Sequence, residues 1–194
     1  TLAGWNLSKT LTEPFSVDIA TLPGLTHAEL SQLVPLSIVD EPVLFVEEPC
    51  NSDKPRSITT PMTVCGVIDQ PRDEDFVTFS AKKGEVLVID VESRSLGYPL
   101  DPVVTVLDSE GKVVIESDDA VRNEFDSRLK FAPKADGEYT VRIRDLFGNG
   151  GWRFAWRMSI RPSLPSVNMT LKSDTFTAIP GTPLEIPVAI ARLE

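Results

Sequence analysis

The residues best suited to chemistry in this chain are carboxylates. Asp101, Asp118, Asp119 and Asp126 fall in a stretch where two short apolar runs, VVTVL and VVIES, alternate with acid-rich turns. At the ends of antiparallel strands such acids meet at one rim. Ca²⁺ takes about six to eight oxygen ligands, and clustered Asp side chains with loop carbonyls supply that chemistry. Four close carboxylates without a cation would repel one another. The alternative role is turn capping, since Asp readily accepts hydrogen bonds from nearby backbone N–H groups. The DxDxDG spacing of an EF-hand is absent.

Other chemistries find fewer residues. His27 is the sole histidine, which removes His-rich zinc sites and makes any Ser-His-Asp triad depend on one residue of the least regular region. Gly148-Asn-Gly-Gly151 lacks the Lys-Ser/Thr of a phosphate loop and precedes a strand rather than a helix, so it reads as a hairpin loop. Trp152 and Trp156, with Arg153 and Arg157, could form an aromatic strip. Trp156, however, shares the register of Phe154 and Met158, which predicts burial and leaves Trp152 as the exposed ring. A paired-carboxylate hydrolase remains a remote reading, because acids at turns do not make a cleft. The formal charge of -10, with no Lys/Arg cluster, excludes nucleic acid as a partner. Apolar runs are far too short to span a bilayer as helices.

The elements that must position these acids are strands. Sixteen prolines and 11 glycines break the aliphatic residues into short runs among 194 residues that are 41% hydrophobic, enough for a core. Val77, Phe79 and Ala81 share one face, as do Leu87, Ile89 and Val91, then Tyr139, Val141 and Ile143, then Phe154, Trp156, Met158 and Ile160. Glycine-bearing turns at Gly84, Gly111, Gly137 and 148–151 separate the runs. About eight such strands make an all-β, jelly-roll or Greek-key sandwich, and the lack of helical crossovers excludes a parallel α/β fold. The sandwich is expected over residues 64–162. Before it, 43–63 reads as an acidic, Pro-bearing linker. Residues 1–42, with strand pieces and one short helix capped by Thr26 and Glu29, read as part of an Ig-like domain or an arm. Residues 163–194 give two alternating runs, with Leu184, Ile186, Val188 and Ile190 on one face. Two strands cannot bury themselves, so they are expected to open a further Ig-like domain. The chain starts at Thr1 without a signal-like segment, so any export address would have been removed. Cys50 and Cys65 could close a disulfide across the joint or stay as two free thiols; an oxidising compartment would permit the bridge.

Several motifs then coincide in order: Arg72-Asp-Glu-Asp-Phe76 in the manner of GDxDxF, PLDP at Pro99 to Pro102, DxxGK at Asp108 to Lys112, DSRL from Asp126, and DGxYxxRxRD at Asp136 to Asp145. Together they resemble the bacterial pre-peptidase C-terminal domain, in the version found within large exported multidomain proteins of planctomycete type. The resemblance implies a β-sandwich attached to exported peptidases and other secreted enzymes, some of which bind Ca²⁺ or an extracellular polymer. It implies a secreted, periplasmic or cell-surface location, with neighbouring domains of the same polypeptide as partners. In calcium-binding relatives the ion sits between an acidic ExEPN linker and the GDxDxF region. Here that linker reads Val46-Glu47-Glu48-Pro49-Cys50-Asn51. Glu48 and Pro49 match, Cys50 displaces Asn51, and Arg72 stands where the motif has Gly. The implied second metal candidate is Glu48, Asn51, Asp73 and Asp75, with Glu47 beside it. The function expected is that of a non-catalytic accessory module that spaces, stabilises or docks domains, with structural Ca²⁺ as its one candidate cofactor. The alternative is a binding module for an extracellular polysaccharide or protein on one sheet face.

Overall fold

Alternating side chains make strands with one apolar face, and such faces are stable only against one another. The computed structural model describes residues 24–25, 34–35, 39–119, 125–164 and 166–193. The chain divides into two units, Thr1–Glu41 and Pro42–Glu194. In the first, β1 (Gly24–Leu25) and β2 (Val34–Pro35) pair antiparallel. The strand pieces expected before residue 24, the helix expected at Thr26 and His27 itself lie outside the described residues.

In the second unit the described residues form two five-stranded sheets and a separate ribbon. The strands are β3 (Val43–Phe45), β4 (Arg56–Ile58), β5 (Met62–Val67), β6 (Glu74–Ala81), β7 (Leu87–Glu92), β8 (Pro102–Leu107), β9 (Val113–Ser117), β10 (Ser127–Phe131), β11 (Gly137–Asp145) and β12 (Ala155–Pro162). One sheet has the order β10-β7-β12-β5-β3 and the other β4-β6-β11-β8-β9. A single 3₁₀ turn, Arg94–Leu96, is the helical element among the described residues. The protein is an all-β sandwich. Its core lies between the sheets, where Val77, Phe79, Leu87, Ile89, Val91, Val141, Ile143, Trp156, Met158 and Ile160 are buried together. Phe131 packs edge-on against both Phe79 and Tyr139, with ring centroids 6.1 and 4.8 Å away, and the Tyr139 hydroxyl donates to the Ala135 carbonyl at 2.9 Å.

The stretch expected as a linker contributes to both sheets. β3 joins β5 and β4 joins β6, each in parallel, so two short strands cover otherwise open edges. At the other end, β13 (Ser166–Leu171) and β14 (Val188–Leu193) pair antiparallel as a ribbon of their own. The alternation read from Leu184 becomes a strand only from Val188, because Pro183 and Pro187 lack the N–H groups a ladder needs. Val167, Met169, Leu171, Val188 and Ile190 share one ribbon face by register and are exposed.

The loops at one end of the sandwich are locked by backbone contacts. Gly151 N–H donates to Ile68 O and Arg72 N–H to Gly148 O, at 2.8 and 3.1 Å. A methyl group at Gly150 would lie 2.0 Å from the Gln70 carbonyl oxygen, which is backbone and cannot swing aside. Gly150→Ala is therefore expected to destabilise the protein by about 1–3 kcal/mol, read as a lower urea midpoint. An unchanged midpoint would mean that the two loops do not pack as described.

Candidate metal centre

The site is built from β6 outward. Its core-facing alternation runs Phe79, Val77 and then Asp75, so the strand carries a carboxylate into the apolar register at its first turn. Asp75 is fully buried. One of its oxygens, Oδ2, accepts the Trp156 indole N–H at 2.7 Å, while Oδ1 is buried with no hydrogen-bond partner. The indole reaches it because Trp156 sits opposite Gly66 in the β12–β5 ladder. A side chain at Gly66 would occupy the ring's place, its Cβ 2.3 Å from Trp156 Cζ2.

The second carboxylate follows from the chain's course before β4. The Cys50 carbonyl accepts the Phe76 N–H at 2.7 Å, and the Cys50 thiol donates to the Phe76 carbonyl at 3.3 Å. This two-way bond fixes the 48–50 turn beside Asp75, and Glu48 Oε2 also accepts the Cys50 N–H. The third comes from the turn into β6, where Asp73 accepts the N–H groups of Asp69 and Glu74. Arg72 before it has φ of 66°, a left-handed conformation that costs a side-chain-bearing residue about 1–2 kcal/mol. That conformation explains why Gly stands at this position in the motif.

Donor oxygens of Glu48, Asp73 and Asp75 lie within 4.8 Å of one another, the one such grouping found among the described residues. Burial, with Glu48 and Asp73 close by, pushes the Asp75 carboxyl up to about 8 despite the opposing bond from Trp156. Burial likewise raises that of Asp73, against the two N–H donors it accepts. Three converging carboxylates, one with an unpartnered buried oxygen, fit a hard divalent cation: Ca²⁺ would take one or two oxygens from each and complete its shell with carbonyls and water. Asn51 has bonds of its own. Its side-chain oxygen accepts the N–H groups of Asp53 and Lys54, closing a local turn, and Glu47 is exposed.

The other sequence candidates have other arrangements. Asp126 accepts three backbone N–H groups, from Ser93, Arg94 and Ser95, and so holds the 3₁₀ turn. Asp101 is buried and lies 3.7 Å from the Arg94 guanidinium. Burial raises its carboxyl, and the charges of Asp119, Asp145 and Asp118 add to that against Arg94. Asp118 and Asp119 are exposed. The missed member of this rim is Asp145. It continues the Tyr139, Val141, Ile143 register inward, as Asp75 continues that of β6, and accepts the N–H groups of Asp101, Phe147 and Asn149. In both strands the signal was an acid in the core register.

A disulfide between Cys50 and Cys65 is not formed; both are free thiols. The register accounts for it. Cys65 lies opposite Phe45 and Arg157 on the outward side of β5, whereas Cys50 is buried and bonded to Phe76. Burial raises both thiols above their ordinary value. Trp152 is 79% exposed and Trp156 2%.

Residues 73–145 match the family described as the bacterial pre-peptidase C-terminal domain. Over 91 residues, 46% of the chain, the sequence is 34% identical to a probable subtilase-type serine protease of Deinococcus radiodurans, and the match spans 12% of that protein's length. Among solved structures the chain is similar to the pre-peptidase C-terminal domain of a collagenase from Bacillus anthracis, at 12% identity and TM-score 0.44, over 64% of this chain and all of that one. It is also similar to a periplasmic inhibitor of g-type lysozyme from Aeromonas hydrophila, at 12% identity and TM-score 0.39, over 55% and 96% of the two chains.

Proposed function

This chain carries a bacterial pre-peptidase C-terminal domain, and from that premise we propose that it is a non-catalytic accessory module of a secreted, periplasmic or cell-surface protein. It spaces and docks neighbouring domains of the same polypeptide, with β13 and β14 opening a further Ig-like domain. One structural Ca²⁺ fastens the 48–51 segment to the sandwich. The observation that carries the cation is the buried, unpartnered Oδ1 of Asp75 within the Glu48, Asp73 and Asp75 group. Glu48 and the Asp73–Asp75 pair come from opposite sides of β4 in sequence, so an ion held between them would stiffen the entry to the domain.

The outer sheet faces favour a spacer over a sheet-face binding module. On one, Arg142 lies between Glu74 and Glu116, 3.7 Å from each. On the other, Asp90 takes both Arg128 and Arg161, and Arg157 pairs with Glu92 at 2.7 Å. Faces occupied by their own ion pairs leave little for a flat polymer. No helix among the described residues is long and apolar enough to cross a membrane.

Titration calorimetry of chelator-treated protein tests the cation. One Ca²⁺ per chain is expected, bound about tenfold or more weaker by Glu48→Gln, with faster proteolysis between residues 46 and 56 when the ion is removed. No binding heat and no rise in melting temperature at millimolar Ca²⁺ would sink the clamp.

A further inference from the structure

Three exposed aromatic rings of the sandwich stand on loops at one end. Tyr98, Phe125 and Phe147 are 43%, 52% and 71% exposed, and Leu146 beside them 40%. They stand on the loops that follow β7 and β11 and precede β10, which the antiparallel registers bring to the same rim. Contacts link Phe125 to the Leu146–Phe147 loop: the Arg94 guanidinium lies 5.3 Å from the Phe125 ring centre and 3.7 Å from Asp101, and the Leu146 N–H donates to the Asp101 carbonyl at 2.8 Å.

These rings are held outward. The Asp145 carboxylate accepts the N–H of Phe147 and that of Asn149, and Asp126 fixes the turn that leads to Tyr98. These bonds fix the backbone at Phe147 and the turn before Tyr98, so burying those two rings in an interface carries less conformational cost than ordering a flexible loop. Exposed aromatics of this kind are characteristic anchors of protein interfaces.

The charge around them selects the partner. Asp118 and Asp119 are exposed, and neither side chain has a hydrogen bond or ion pair among the described residues. Among the described residues, Asp101, Asp118, Asp119 and Asp145 gather with Arg94 beside Asp101 and Arg144 at the Asp145 carbonyl, an excess of acid. An acidic polysaccharide would be repelled here. A neutral one would leave the carboxylates unanswered, and one face of Phe125 is already taken by Arg94. A surface that brings both apolar side chains and Lys or Arg satisfies rings and acids together.

We propose that this rim, centred on Tyr98, Phe125, Leu146 and Phe147 and flanked by Asp118 and Asp119, is a docking surface for a protein partner whose contact patch is apolar and basic. The proposal is independent of the cation clamp, since none of these residues belongs to the Glu48, Asp73 and Asp75 group.

The test uses isotope-labelled protein in chelator, so that cation binding plays no part. Its probe is a short amphipathic peptide of leucine and lysine, compared with a leucine–glutamate peptide, a serine–lysine peptide and cellohexaose. The leucine–lysine peptide is expected to shift the amide signals of Tyr98, Leu146 and Phe147 saturably. Phe147→Ser, and separately the Asp118→Asn/Asp119→Asn pair, should weaken it by about tenfold. Both variants alter exposed side chains, and unchanged spectra elsewhere would verify the fold. Equal binding of the serine–lysine peptide, shifts spread over the acidic surface at large, or binding of cellohexaose at these loops would each overturn the proposal.

Discussion

Trp156→Ala is expected to lower the unfolding free energy by about 3–5 kcal/mol, the range for removing a large aromatic side chain from a packed core. The indole is 2% exposed, lies over Gly66, and donates the hydrogen bond that the Asp75 carboxylate accepts among the described residues. Truncation opens a cavity and leaves a buried carboxyl without a partner on either oxygen. Trp156→Phe separates the two contributions: it keeps most of the ring and loses the N–H, for an expected cost of about 1–3 kcal/mol. Urea unfolding of both variants checks this. A loss below about 1 kcal/mol for the alanine variant would mean that the ring is not the core element described here.

The second large effect is a pH dependence that Ca²⁺ removes. The folded-state pKa of Asp75, about 8, lies above the usual carboxylate value of 3.8, so the native protein holds this proton more tightly than the unfolded chain does. Without a cation, the stabilisation is therefore complete below about pH 4. It is lost as the pH rises through the window up to about 8, by up to about a factor of ten in the folding constant per unit. A bound cation favours the ionised form and reverses the loss; at 100 times its dissociation constant it adds about 2.7 kcal/mol. Asp75→Asn keeps an acceptor for the Trp156 N–H and removes the titration. In chelator at pH 8 this variant is expected to be more stable than the unmodified protein, with a flatter pH profile and no response to Ca²⁺. Thermal melts of both proteins across pH 4–8, with and without Ca²⁺, provide the comparison. Parallel profiles would show that Asp75 does not carry this proton.

Much of the sandwich was legible because a strand's facing is a local property. Val77 and Phe79, Ile89 and Val91, Val141 and Ile143, and Met158 and Ile160 alternate with polar neighbours, and each pair is buried as the period requires. The same period, carried one step further, puts Asp75 and Asp145 on the core face. By sequence, Asp75 enters only through the family motif and Asp145 has no assigned role. Gly66 within an apolar run was a comparable signal, since a glycine inside a strand marks a close approach, here that of Trp156. The ribbon's start at Val188 was misjudged for a chemical reason: prolines can keep an alternating pattern without being able to pair.

The sequence by itself determined the all-β class, the strands that line the core, the family resemblance and the acids that could act. Only the tertiary structure decided which acids meet. Glu48 is far from Asp73 and Asp75 in sequence, and it reaches them because the 48–50 turn bonds to Phe76 ahead of the parallel edge strand β4. The rim acids were equally prominent in the sequence, yet Asp126 is taken up by the backbone of a 3₁₀ turn and Asp101 by Arg94. Cys50 and Cys65, bridgeable by spacing, are set apart by β5 and its register. Periodicity encodes which way a side chain faces along its own strand. It carries nothing about which strand lies alongside, and a site made of carboxylates from separate segments depends on that long-range pairing.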